Sequence, residues 1–450
     1  MSTPPVTNPL MPGEGKKTVG LGFRVYQSLK IGIHRELLNH VDLEKVATQP
    51  DDQTRRQVYA VIQELASNLR TPVSAPEKEQ LSLEVLSEVF CLGPLEPLLQ
   101  DPTISDILVN GAREVYIERA GVLEESGIIF KDNAHLMHII DKIVSAVGRR
   151  VDESSPMVDA RLADGSRVNV VLPPLAIDGP HLSIRRFGQI PIGERDLLAT
   201  QTLTQPMLEL LRDAVKARLN IVVSGGTGAG KTTLLNVLSG YISEKERIVT
   251  IEDAAELHLK QRHVVRLECR PANAEGKGAV VQRQLVSNSL RMRPNRIIVG
   301  EVRGEEALDM LQAMNTGHDG SLTTMHANSP RDAIARLETM VMMANLNLQE
   351  KAIRRQIASA VTLVLHMARF NDGSRRLINI TEITGMEGDV ISMQDVFVFE
   401  KQGVSSEGRT LGTFTATGIR PRFEEKLRAS GISLPANFFE PTVSYQGRQR

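Results

Sequence analysis

The chain of 450 residues has no tryptophan and only two cysteines, Cys91 and Cys269, which stand 178 positions apart and outside any Cys-x-x-Cys pair. A disulfide framework and a tetracysteine zinc site are both excluded within one chain, and a reducing compartment is expected. Aromatic residues make up 4% of the chain, too few for the stacking platform that sequence-tolerant single-strand binding uses. Neither sign of charge is in excess. The 53 basic and 54 acidic residues leave a net charge of −1, so the whole chain offers no attraction for nucleic acid or an anionic membrane. The longest charge-free apolar run of helix-like texture, Ile357–Ala368, falls well short of the ~20 residues that cross a bilayer. The opening residues carry their lysines after the weakly apolar part, with no h-region following, so no secretory signal and no export are expected.

The length calls for several domains, and four textures follow one another along it. Residues 1–19 mix Pro, Thr and Gly without apolar periodicity and are expected to be a disordered tail. From 20 to 92, Val58, Val61, Ile62 and Leu65, then Leu81, Val85, Leu86, Val89 and Phe90, recur at helical spacing and predict a small helical bundle. From 93 to 190, β-like runs at 105–110, 114–118, 166–172 and 181–187 surround one helical segment near 134–148, which predicts a mixed α+β domain. A short linker, 191–199, leads to residues 200–400, where strand and helix patterns alternate as βαβ units of a parallel sheet require. Residues 401–450 read as a C-terminal extension with a helical stretch at 423–430.

The strongest local pattern is Gly225-Gly226-Thr227-Gly228-Ala229-Gly230-Lys231-Thr232-Thr233, which follows the apolar run Ile221–Val223 and opens an apolar-periodic helix. Gly-x-x-x-x-Gly-Lys-Thr in that context is a phosphate-binding loop. Its glycines let backbone N–H groups turn inward, where they and the positive end of the helix hold phosphate oxygens. Lys231 would reach the β- and γ-phosphates, and Thr232 would present its hydroxyl to Mg²⁺.

Two further apolar runs end in acids at spacings that suit neighbouring strands: 247–257 in Glu252, Asp253 and Glu256, and 296–304 in Glu301 with Arg303. Ligands of open α/β sheets bind at the carboxyl ends of parallel strands. Hydrolysis needs one group to orient or deprotonate water and another to support the metal, and Glu256 and Glu301 are the candidates. His318 and His326 bracket a fourth strand-like run; eight residues apart and without a cysteine partner, they do not make a zinc site, and a phosphate-sensing imidazole is the functional alternative to a structural one. Residues 261–303 carry nine basic residues against three acids, which fits a nucleic-acid patch, arginines facing phosphates or subunits, or a solvated face.

Taken together, 225–233, 247–257, RMRPNRIIVGEVRGEEALDMLQAMNTGHDGSLTTMHANSP at 291–330 and DARLADGSRVNVVLPPLA at 159–176 resemble the type II/type IV secretion ATPase superfamily, and within it the branch that powers Tad (Flp) pilus assembly. The resemblance implies an α/β fold: a RecA-like P-loop ATPase domain preceded by an α+β (PAS-like) domain and an N-terminal helical bundle. By the same resemblance Gly225–Thr233 is the Walker A motif, and Glu252, Asp253 and Glu256 form an Asp box with Glu256 as general base. Glu301 supports Mg²⁺ in an atypical Walker B, and His318 and His326 belong to a histidine box. Arg185 and Arg186 match an arginine pair that reaches the nucleotide, with Arg161 and Arg167 as weaker candidates of that kind. The implied cofactors are ATP and Mg²⁺. The implied assembly is a homohexameric ring, cytoplasmic and peripheral on the inner membrane, docked on a polytopic platform protein without stable nucleic-acid binding. The alternatives are a DNA-translocating or protein-export ATPase of the same superfamily and a non-hydrolysing regulatory nucleotide-binding module. No Asn-Lys-x-Asp motif points to guanine.

Overall fold

The computed structural model describes residues 23–40, 52–69, 71–119, 121–186, 192–272, 277–344 and 348–441. The tail expected at 1–19 lies outside them. The chain divides into two units, Met1–Arg119 with Leu123–Arg186, and Ala120–Val122 with Phe187–Arg450.

Among the described residues the first unit holds the helices α1 (Phe23–His40), α2 (Asp52–Ser67) and α3 (Ala75–Phe90). Their apolar stripes share one core: Ile33 and Leu37 from α1, Val58, Ile62 and Ala66 from α2, Leu81, Val85 and Val89 from α3. The carboxylate of Glu77 accepts the Ser74 N–H at 2.9 Å where α3 starts. At its other end Lys142 Nζ donates to the carbonyls of Glu88, Val89 and Cys91 at 2.8–3.1 Å, satisfying oxygens the helix leaves without partners. A short helix, α4 (Glu96–Gln100), leads into β1 (Ile104–Asn110), β2 (Glu114–Arg119), β3 (Val122–Glu125), α5 (Asn133–Ala146), β4 (Met157–Arg161), β5 (Arg167–Val171) and β6 (His181–Arg185). These strands form one sheet in the order β3-β2-β1-β6-β5-β4. The two-residue period puts Ile107, Val109, Val115, Ile117, Val168, Val170, Leu182 and Ile184 in one core with Leu136, Ile139, Ile140 and Ile143 of α5. Strands β3 and β4 were not anticipated. All four residues of β3 are exposed, so no apolar alternation marks it.

The second unit opens with α6 (Glu194–Ala199) and α7 (Gln205–Lys216). The linker expected at 191–199 is therefore largely helical, and its Leu197 is buried in the core of this unit. Next come β7 (Ile221–Gly225), α8 (Lys231–Ser239), β8 (Ile248–Glu252), β9 (Val264–Glu268), α9 (Gln282–Ser289), β10 (Arg296–Val299), α10 (Glu306–Asn315), β11 (Leu322–His326), α11 (Pro330–Met343) and α12 (Glu350–Ala360). They are followed by β12 (Leu363–Arg369), β13 (Arg375–Glu387), β14 (Val390–Val404), β15 (Thr410–Ala416) and α13 (Glu424–Ala429). The sheet runs β15-β14-β13-β12-β7-β11-β10-β8-β9. It is parallel from β12 through β9 and antiparallel from β12 to β15. One strand, β11, separates β7 from β10, which is the RecA-like arrangement. Both faces of β7 are buried: Ile221 and Val223 share a core with Leu211, Leu234 and Leu235, and Val222 with Met310 and Leu337. This is why its sequence reads as a continuous apolar run.

Two expectations change. The run Ile357–Ala368 is not one helix but the end of α12 followed by β12. Val361 to Leu365 includes β-branched residues that suit a strand buried beside β7, and twofold burial removes the alternation that would have revealed it. The boundary at 400 falls inside β14, and Phe414, Phe423, Leu427 and Phe439 pack in the same core as Ile221, so 401–441 belongs to the second unit.

The amino edge of this sheet is set by two side chains. Asn220 Oδ1 accepts the N–H groups of Gly320 at 2.8 Å and Ser321 at 3.1 Å, ahead of β11, while its Nδ2 donates to the Ala360 carbonyl at 2.7 Å, ahead of β12. Arg296, fully buried, donates to the Glu246 carboxylate at 2.7 Å and to the carbonyls of Val215 and Gly320. Gly320 has φ +81, and a Cβ there would overlap the Arg296 guanidinium. Gly320→Ala should therefore lower unfolding stability by roughly 2–4 kcal/mol, read as a fall in the urea midpoint; a loss below about 0.5 kcal/mol would show that the contact yields without cost.

Candidate active site

At the carboxyl edge, β7 ends at Gly225 and the chain passes through Gly226–Gly230 into α8. Gly225 has φ +151, and a Cβ would run into the Met367 carbonyl oxygen of β12. No other residue lets the loop leave β7 so close to its neighbour. Lys231, the first residue of α8, is buried; its Nζ donates to the Gly226 carbonyl at 2.9 Å and stands 3.4 Å from His326 Nε2. Burial lowers the ammonium pKa, and the nearby Glu301 opposes the shift.

Glu301 follows β10 and His326 closes β11, with His326 Nε2 and Glu301 Oε1 2.9 Å apart. Arg303 Nη2 donates to Glu301 Oε2 at 2.8 Å, and its Nη1 lies 3.8 Å from the exposed Asp253. Burial, then the charge of Lys231, holds the His326 pKa below its ordinary 6.5, so the ring is neutral at neutral pH and keeps one nitrogen as an acceptor. Glu252 ends β8 and is buried, and its Oε2 accepts the N–H groups of Glu256 at 2.7 Å and Leu257 at 3.0 Å. Burial raises its pKa against those two hydrogen bonds. Its contacts thus shape the loop that carries Asp253 and Glu256.

The structure brings Lys231, Glu301, Arg303, Asp253 and His326 together, but not His318. That residue precedes β11 at the amino edge, where Ser321 Oγ donates to its carbonyl at 2.8 Å and its Nδ1 is buried without a partner. The two histidines stand at opposite ends of one strand, because each extended residue advances the chain by about 3.3 Å. Arg185 and Arg186 belong to the first unit. Arg185 is exposed and its Nε donates to Asp106 at 3.2 Å. Arg186 is buried and donates to the carbonyls of Leu99 at 2.7 Å, Ile104 at 3.3 Å and Asp101. Arg161 pairs across the sheet with Arg167, and Arg167 with Arg185. Such a row of like charges opposes folding unless an anion or acid answers it.

Three residues of the site carry no signal that the sequence reading used. Glu306 is buried and accepts the N–H groups of Arg303 at 2.6 Å and Gly304 at 2.8 Å, shaping the turn after Glu301; an acid in a first helical turn is its only sequence mark. Under the phosphate loop, His366 Nδ1 meets Ser224 Oγ at 2.8 Å. Beside it, Arg375 Nε donates to the Gly228 carbonyl at 2.9 Å.

Magnesium bound with a nucleotide takes most of its oxygens from phosphates and water and only one or two from protein. Thr232 and Glu301 fit that demand. Glu301 Oε1 is buried and, although 2.9 Å from His326 Nε2, receives no well-aligned hydrogen bond, and among the described residues no three or more His, Cys, Asp or Glu gather into a metal site of their own.

A RecA-like sheet with a phosphate loop on its central strand, a buried loop lysine and a carboxylate two strands away defines a P-loop enzyme. Residues 91–410 match the family described as "Type II/IV secretion system protein", and the chain belongs to that family. It is 42% identical over 316 residues to a putative conjugal transfer protein of Mycobacterium tuberculosis, covering 69% of this chain and 89% of that protein. It is 33% identical over 319 residues to the type IV secretion system protein VirB11 of Brucella suis, covering 64% and 88%. Among solved structures, the VirB11 ATPase of the Brucella suis type IV secretion system is 31% identical, covering 64% of this chain and 95% of that one with a TM-score of 0.35.

Burial also holds the His366 pKa below 6.5. The folded chain therefore binds this proton less readily than the unfolded chain, so the contribution to stability is full above about pH 6.5 and shrinks as pH falls below it. The urea midpoint should drop between about pH 7.5 and 5.5, and His366→Gln should lessen that drop; an unchanged drop would remove His366 from the account.

Proposed function

We propose that the chain hydrolyses ATP as the subunit of a homohexameric motor that drives assembly of a Tad (Flp) pilus from the cytoplasmic face of the inner membrane, docked on a polytopic platform protein. The observation that carries the hydrolytic part is the meeting of Lys231, Glu301 and His326 at the mouth of the phosphate loop. The loop N–H groups and Lys231 bind the β- and γ-phosphates. Thr232 and Glu301 would hold Mg²⁺, which when bound neutralises charge developing on the phosphate oxygens. Glu256 takes the proton of the attacking water, and neutral His326, held beside Lys231 and Glu301, senses the terminal phosphate. Arg303 fixes the Glu301 carboxylate. Exposed Arg185 supplies positive charge to the transferred group, and Arg186 holds the strand end that carries it. The pilus assignment rests on the motif resemblance at 159–176 and 225–330.

Lys231→Ala should abolish nucleotide binding. Glu256→Gln and Arg185→Ala should each keep binding within a fewfold while lowering kcat by about 10²–10⁴, measured by nucleotide titration beside steady-state hydrolysis. Equal loss of binding in all three would sink this division of roles.

A second reading, a conjugation or export ATPase, is favoured by the 42% identity to the putative conjugal transfer protein. Deletion of the gene separates the two: loss of surface pili by microscopy supports the pilus motor. Intact pili, with hydrolysis that rises several-fold on adding DNA and falls with salt, support a DNA-handling motor.

A further inference from the structure

The loop is flanked on two sides. β11 and β10 lie on one side of β7 and bring His326 and Glu301; β12 and β13 lie on the other. The turn joining β12 to β13 carries Arg369 at its start and Arg375 at its end. Both lean on the loop. Arg375 Nε donates to the Gly228 carbonyl at 2.9 Å, and its Cδ lies 3.4 Å from the point a Cβ on Gly230 would occupy. Arg369 Nη1 lies 3.0 Å from the corresponding point on Gly228. The turn itself is pinned. Asp372 accepts the Ser374 N–H at 3.0 Å, the Ser374 hydroxyl at 2.7 Å and the Thr410 N–H at 2.6 Å. Burial works against these bonds, yet they hold its carboxyl down to about 2.

Hydrolysis acts on the terminal phosphate, so that end of a nucleotide belongs beside Glu301 and His326, and the nucleoside must leave the loop by another flank. We infer that Arg369 and Arg375 form the nucleoside wall of the site, with their planar guanidinium groups meeting the base and ribose of the bound nucleotide. A guanidinium stacks on a base face and donates to its edge and to ribose oxygens, which a lysine does not reproduce. The inference rests on the proposed binding of ATP at this loop. The roles of the two flanks then differ: one handles chemistry, the other grip and choice of base.

The test compares ATP with inorganic tripolyphosphate, which offers the loop the same phosphate chain without a nucleoside. In the full chain, Arg369→Gln, Arg375→Gln, Arg375→Lys and the double Gln variant are titrated with both ligands and assayed for hydrolysis of ATP and GTP. Arg369→Gln should bind tripolyphosphate as the wild type does, and the double variant should raise the KM for ATP by about tenfold and lose most of any preference between ATP and GTP. Arg375→Lys should behave like Arg375→Gln, since charge alone does not stack. Because Arg375 touches the loop backbone, Arg369→Gln, which spares that bond, should show the same selective loss by itself. Parallel loss of ATP and tripolyphosphate binding in Arg369→Gln, or an unchanged KM for ATP in the double variant, overturns the inference. A wild-type chain that binds neither ligand overturns the nucleotide reading first, and this inference with it.

Discussion

The geometry of the carboxyl edge depends on one amide at the other end of the sheet. Asn220 ties the starts of three adjacent strands, bonding the backbone ahead of β11 with its oxygen and the backbone ahead of β12 with its nitrogen. Strands of equal rise then carry that alignment upward without further adjustment. Five residues on, Gly225 stands level with His326 on one side and with Met367 on the other. The Met367 carbonyl excludes any side chain at Gly225, and His326 arrives beside Lys231. Three hydrogen bonds of one buried side chain at the amino edge thus align the strands that carry Gly225, His326 and Met367.

Charge around this sheet is balanced locally and not by the chain as a whole. The excess of six positive charges over 261–303, nine basic residues against three acids, suggests an attractive surface on paper. In the fold, Arg283 is paired with Glu305 and Asp309, Arg296 with Glu246, and Arg303 with Glu301. The acids come mostly from outside the block. Three of the nine basic residues are accordingly committed to a helix-to-turn clasp, a buried anchor and the site, and do not add to a common positive surface.

The phosphate loop was legible because its chemistry demands a fixed order of residue types, and the strand-end acids because parallel strands buried on both faces read as plain apolar runs that stop at a charge. Register and topology were less visible. Nothing in the spacing of His318 and His326 tells which end of a strand each occupies. Arg369 and Arg375 flank Phe370–Ser374, which reads as an ordinary turn, and their relation to Gly228 exists only because β12 pairs with β7 across more than a hundred residues. The break at 400 failed for a related reason: a change in composition coincided with the middle of β14, while the core it contributes to was assembled from Phe414 to Phe439.

The doublet Arg185-Arg186 divides in the same manner. Its second member is an internal strut, its guanidinium spent on three carbonyls of the segment leading into β1, while its first projects into water beside Asp106. Neighbours on an extended chain point opposite ways, so the two cannot act as a bidentate pair, and identical letters conceal a buried strut and an exposed charge. Replacing both together would therefore confound loss of an internal strut with loss of an exposed charge. Of the two guanidinium groups only that of Arg185 is exposed to meet an anion, because that of Arg186 is already committed to backbone carbonyls.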